Sequence, residues 1–264
     1  MHKANRIRMF KRPKFILVLL LTVVINGLDV FSKTIYEPYL YGTALQSAWT
    51  ENMIYQGTSS FGTVIFSILA FLVPSFLLAD CLVEDRKSGL DNIFSSKVGK
   101  TTYIQHVFID NFIYSGLFIM AIPFINILMW LLIRPAFSLN YISANLINEV
   151  LFAETLMISP VLFLFLHLLK VFFVGGIIGS LTLMVNDIGD NAYLGLASIF
   201  VFDLFMQILS QFISSWTGFN INFSQLNVLL SGLFVSNRIG TFIYLAVLFL
   251  LPIIYFSYKE KRNL

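Results

Sequence analysis

The chain has 264 residues, of which 58% are hydrophobic and only 12% charged, with a formal net charge of +3 and a mean hydropathy of +0.82. Soluble domains carry roughly 25% charged residues, so the composition excludes a water-facing surface over most of this chain and points to an all-α integral membrane protein. The single cysteine, Cys81, excludes an intrachain disulfide and a cysteine metal cluster, and His2, His106 and His167 lack metal-ligand spacing.

The chain opens on a basic region (Lys3, Arg6, Arg8, Lys11, Arg12, Lys14), which is followed by the apolar run Phe15 to Ile25. No small-x-small cleavage site follows; the sequence continues Asn26-Gly27-Leu28-Asp29-Val30-Phe31, which predicts an uncleaved first span. The only basic run precedes a hydrophobic segment, which argues against nucleic-acid binding. Apolar runs long enough to cross roughly 30 Å of hydrocarbon predict six spans at 15–31, 60–80, 103–133, 160–185, 192–214 and 238–257. The third is long for one crossing, so it is tilted, kinked near Pro123, or begins in the cytoplasm.

Residues 216–236 are apolar enough to tempt a seventh span, but they hold Gly218, Asn220, Asn222, Ser224, Gln225 and Asn227, which hydrocarbon penalises. A re-entrant or interfacial helix pair before the last span is expected instead. Positive charge is retained on the cytoplasmic side. With the N-terminus inside, thirteen of the seventeen Lys and Arg are cytoplasmic, and only Lys33, Arg134 and Arg238 lie outside. Both termini are therefore expected in the cytoplasm of a multi-pass protein. The abundance of Phe, Ile, Asn and Lys fits a bacterial cell membrane.

The cytoplasmic segment 80–101 is the most informative. Leu90, Ile93, Phe94 and Val98 recur three to four residues apart and share one helical face, with Asp91, Asn92, Ser95 and Lys97 around them and Gly99 able to end the helix. Such a helix either lies in the lipid headgroups or docks a soluble partner. Acidic residues (Asp80, Glu84, Asp85, Asp91) and basic ones (Arg86, Lys87, Lys97, Lys100) balance here, and pure lipid attraction would favour basic residues.

The order of features resembles a known family. A basic N-terminus, a first outer loop, Glu84-x-x-x-x-Gly89 followed by Lys100-x-x-Tyr103 leading into span three, and a re-entrant element before the last of six spans are similar to the permease subunits of type-2 ATP-binding-cassette exporters. The resemblance covers nearly the whole chain. It implies that the segment 80–101 is a coupling helix docking on a separate cytosolic ATPase through Glu84, Asp85, Arg86, Gly89, Leu90, Ile93 and Phe94. It also implies an N-terminal helix over 5–15 lying along the inner surface near that partner, and a second permease copy or related subunit. ATP and Mg would be bound by the partner. This chain's own Gly99-Lys100-Thr101 is not a phosphate-binding loop, because the first glycine of G-x-x-x-x-G-K-[ST] is here Phe94.

Charged residues at mid-depth cost about 2.5–3.5 kcal/mol each on insertion scales, so Lys170 in span four and Asp203 in span five stand out. They are expected at similar depth, where they pair or face a common polar cavity, as a register-fixing ion pair or as part of a substrate pathway. His167, one turn from Lys170, is expected to be packed and hydrogen-bonded. Gly175, Gly176, Gly179 and Ser180 give small residues four apart, which permits close helix approach inside the chain or between two copies. Asp29 and Asp110 are assigned to interfacial anchoring. In the turn 186–191, Asp190 or Asn191 is expected to cap span five.

No H-E-x-x-H, no G-x-S-x-G and no paired intramembrane carboxylates are present, so the chain is not expected to be an enzyme. The expected role is the membrane pathway of an ATP-driven exporter of an amphipathic or hydrophobic cargo: a peptide, an antibiotic or a lipid-like molecule. The rivals are a non-transporting immunity or sensor protein, and an ion-coupled secondary transporter using Lys170 and Asp203. The latter class usually shows internal repeats, and none is evident here.

Overall fold

A computed structural model describes residues 2–36, 48–56, 61–134, 155, 158–217, 226–231 and 238–262. Helix α1 (His2–Lys11) stops where Pro13 removes a backbone donor, and the chain turns through Arg12–Pro13 into α2 (Lys14–Tyr36). Two short helices follow, α3 (Ala48–Glu51) and α4 (Met53–Gln56). The second apolar run starts as α5 (Phe61–Leu69), tightens into a 3₁₀ turn at Ala70–Leu72, and resumes as α6 (Val73–Leu77) with Pro74 in its first turn.

The segment read as a cytoplasmic loop is itself helical. After a turn at 78–80, α7 (Cys81–Ser88) ends at Gly89, whose φ of 75° only glycine adopts without strain. Helix α8 (Leu90–Val98) then ends at Gly99, again with positive φ (84°), and the chain reverses into α9 (Lys100–Ile133). At 34 residues, α9 is about 51 Å long and exceeds the hydrocarbon thickness that one upright crossing needs. Pro160 and the Ser159 side chain, which accepts from the Leu162 amide at 3.3 Å, start α10 (Pro160–Ile188). Helices α11 (Leu194–Thr217), α12 (Leu226–Ser231) and α13 (Arg238–Arg262) complete the described chain.

All regular structure among the described residues is helical, and six helical stretches are long and apolar enough to cross a membrane: Lys14–Thr34, Phe61–Ser88, Lys100–Ile133, Pro160–Ile188, Leu194–Thr217 and Ile239–Lys259. The protein is thus a multi-pass membrane protein by length and composition. The second stretch runs eight residues beyond the expected 60–80, because the polar residues after Asp80 continue the helix. The N-terminal helix, expected over 5–15, ends instead at Lys11 before the proline.

The tightest seam joins α9 and α10. Gly175 packs on Ile119, Gly176 on Phe112 and Gly179 on Ser115, while the Asn111 Nδ2 donates to the Gly179 carbonyl at 2.7 Å. All four small residues of this stretch, Ser180 included, are buried within the chain, so the close approach is internal. Phe66, Phe71, Leu77, Leu78, Ile122 and Ile178 fill the centre of the bundle. Ile16, Leu20 and Val23 of α2, Val201, Phe205 and Ile208 of α11, and Phe242, Ile243 and Ile254 of α13 face outward. This apolar exterior suits lipid.

Of the segment 216–236, residues 218–225 and 232–237 lie outside the described residues. Within it, α12 packs on α5 and α10 with Leu226, Leu229 and Leu230 buried.

Candidate functional site

At one end of the bundle, helices distant in sequence are joined by charge. Arg8 of α1 donates to Asp85 at 2.7 Å and to Glu84 at 3.3 Å. Arg12 donates to Glu84 at 2.5 Å, to the Leu77 carbonyl at 2.9 Å and to Asp80. Lys14 reaches Asp80 at 2.6 Å and lies over the Tyr193 ring. Burial works to strip charge from both guanidiniums, but the facing carboxylates outweigh it: Asp85 and Glu84 hold Arg8, and Asp80 and Glu84 hold Arg12, above the ordinary arginine value. Arg8, Arg12 and Lys14 of the basic N-terminal region are therefore engaged with α7 and the turn before it.

A second set centres on Asp187 at the end of α10, whose side chain is buried. It accepts from Tyr255 at 2.7 Å and Lys259 at 2.5 Å, both of α13, and from Arg86 of α7, which also reaches Asp190 at 2.9 Å. Asn186 ties the neighbouring backbone, donating to the Ala79 carbonyl at 2.9 Å and accepting from the Gly195 amide at 2.6 Å. Of the two residues expected to cap span five, Asn191 accepts from the Tyr193 amide at 3.0 Å, and Asp190 pairs with Arg86 instead.

These contacts place the residues singled out in 80–101 in two groups. Glu84, Asp85 and Arg86 are engaged inside the chain. Gly89, Leu90 and Ile93 are exposed, Ile93 to 49%, and α8 has no buried residue at all. Phe94 connects the groups. Its ring stacks on Tyr103 at 5.7 Å and 16°, and the Tyr103 hydroxyl donates to Asp85 at 2.5 Å. Helix α8 is thus linked to α9 by an aromatic contact, and α9 to α1 by the carboxylate of Asp85 that Tyr103 and Arg8 share.

Comparison with known families, with curated proteins and with solved structures finds no match for this chain. Among the described residues there is also no group of His, Cys, Asp and Glu able to hold a metal ion.

Asp203 is buried, its Oδ1 accepts from the Leu226 amide at 2.8 Å, and Tyr244 of α13 faces it. One oxygen of Asp203 is thus turned toward α12, a helix whose position sequence spacing does not reveal. Lys170 is half-buried on α10 and, like Asp203, has interactions with its surroundings. His167 is fully buried with its ring against Phe163 at 4.5 Å.

Asp29 and Asp110 depart from interfacial anchoring. Asp29 is fully buried at the far end of the bundle, where it accepts from Asn126 at 2.9 Å and Trp130 at 3.2 Å and pairs with Lys33 at 3.1 Å. Asn126 in turn accepts from the Met53 amide at 2.9 Å, which fixes α4 to α9. Asp110 is buried and accepts from Asn5 of α1 at 2.6 Å. Asp80, Asp187, Tyr255 and Lys259 were not singled out by sequence. Their one local signal is that the turn 186–191 carries two aspartates and no Lys or Arg.

Proposed function

We propose that the chain is the membrane-spanning subunit of an ATP-driven exporter, working with separate cytosolic ATPase subunits and with a second permease copy or related subunit. The observation that carries the reading is the state of α8. It presents Leu90, Ile93 and Val98 outward, while Phe94 stacks on Tyr103 of the third span. A helix with an unspent apolar face and a rigid link to a span suits a part that is pushed. The end of the bundle bearing this helix carries the excess of Lys and Arg, which supports a cytoplasmic location for it and for both termini. Helix α12 meets Asp203 well within span five, which supports its reading as the buried part of a re-entrant element. The cargo in this reading is amphipathic or hydrophobic, and the membrane is a bacterial cell membrane.

The test is co-purification of the full chain from its native membranes with an ATPase of the ATP-binding-cassette type. The expected result is a stable complex that the double change Leu90→Asp and Ile93→Asp reduces at least tenfold while leaving thermal stability unchanged. A chain that never retains such an ATPase, with export unaffected by the double change, overturns the proposal.

A further inference from the structure

Two adjoining hollows between α9 and α13 remain unassigned. One, of about 290 Å³, lies at the charged end and is lined by Arg86, Asp91, Lys100, Asp187 and Lys259 among others. The second, of about 180 Å³, is lined mainly by Thr101, Gln105, Phe108, Ile253 and Phe256. Ile104 lines both, so the hollows adjoin across this one side chain. Together their size falls within the range of small-molecule sites.

Their chemistry differs along the helix axis. Lys100 is the first residue of α9, and Phe108 lies about 12 Å deeper along it. Charge thus gives way to an apolar groove, floored by the edge-on contact of Phe108 with Phe256, in the direction of the membrane interior. In the outer hollow three cations face two carboxylates. Arg86 and Lys259 both engage Asp187, whereas Lys100 meets no carboxylate among the described residues. Arg86 is also held by Asp190, so Lys100 is the lining cation without an ion pair among the described residues, at the mouth of a groove that accepts an alkyl chain.

We infer that this composite hollow binds an acidic phospholipid of the adjacent leaflet, with its phosphate at Lys100 and one acyl chain along the groove between α9 and α13. Basic pockets between spanning helices are suited to anionic headgroups. A phosphocholine lipid brings its own cation to Lys100 and loses that attraction. A soluble phosphate fills only the outer hollow and gains nothing from the groove. The inference is independent of the exporter reading, since it needs neither nucleotide nor partner subunit.

The test is native mass spectrometry of the delipidated full chain in neutral detergent, offered phosphatidylglycerol and phosphatidylcholine of identical chains. Phosphatidylglycerol is expected to be retained several-fold over phosphatidylcholine. Lys100→Gln is expected to reduce that preference about fivefold, and Lys97→Gln, on α8 and outside the hollow, to leave it unchanged. Ser257→Trp, or Gln105→Trp on the opposite wall, plugs the groove and should reduce retention of both lipids. Each variant is first required to elute as a single species with unchanged helicity. Equal retention of the two lipids, or an undiminished preference in Lys100→Gln, overturns the inference. Displacement by millimolar inorganic phosphate, with no effect of either tryptophan, overturns the lipid as occupant in favour of a soluble anion.

Discussion

Asp187 satisfies three donors from two helices with one buried carboxylate, so its loss exposes more than its own bonds. Asp187→Ala leaves Lys259 without its carboxylate and Arg86 with Asp190 alone. Removing one partner of a buried ion pair costs about 3–5 kcal/mol. Arg86 keeps 40% of its side chain in solvent, so the expected loss here is lower, about 2 kcal/mol. It is read as a fall in thermal midpoint in detergent. Asp187→Asn, which keeps the shape and an acceptor oxygen, is expected to lose less than the alanine variant; equal losses would mean that the charge alone is what matters. Individual residues were also where sequence was least informative. Depth along a span placed Asp29 and Asp110 near an interface, but their true partners, Asn126, Trp130 and Asn5, come from helices about a hundred residues away. Nothing local marks such pairs. A carboxylate near a helix end reads the same whether it faces headgroups or an asparagine on another helix.

Helices were more legible, because each span carries its own apolar signature. The six spans and the amphipathic pattern over 90–98 were visible as periodicity, and both are helical. The segment 81–88 was read as loop because its polar residues, Glu84 to Ser88, break the apolar run; they are held in helix by partners on α1 and α10. The glycines of α10 were recognised as a close-approach surface, and the structure supplies their partner, α9. A Cβ at position 179 would fall 2.5 Å from the Ser115 Cβ and 2.4 Å from its hydroxyl. Gly179→Ala is therefore expected to destabilise by about 1–3 kcal/mol through overpacking, and Ser115→Gly introduced alongside it should restore most of the loss. Thermal unfolding of the two single variants and the double variant measures the coupling. Additive losses would show that the two positions do not meet.

At the scale of the whole molecule, the proposed orientation rests on the charge asymmetry and can be read directly. In a Cys81→Ser background, Lys97→Cys is expected to react with a membrane-impermeant maleimide in inside-out vesicles and not in intact cells; the reverse pattern would invert the topology. Both ends of the described chain meet at that face, since α1 pairs with α7, α7 with the end of α10, and that end with α13. This connectivity imposes an order on biogenesis. As helices enter the membrane from the ribosome, Arg8, Arg12 and Lys14 find their carboxylates once the second span is in place. Arg86 waits for the fourth span, and Asp187 is completed only when the sixth delivers Tyr255 and Lys259. A nascent chain arrested before the last span carries a half-neutralised acidic site at its aqueous face, a chemical mark by which an unfinished protein differs from a finished one.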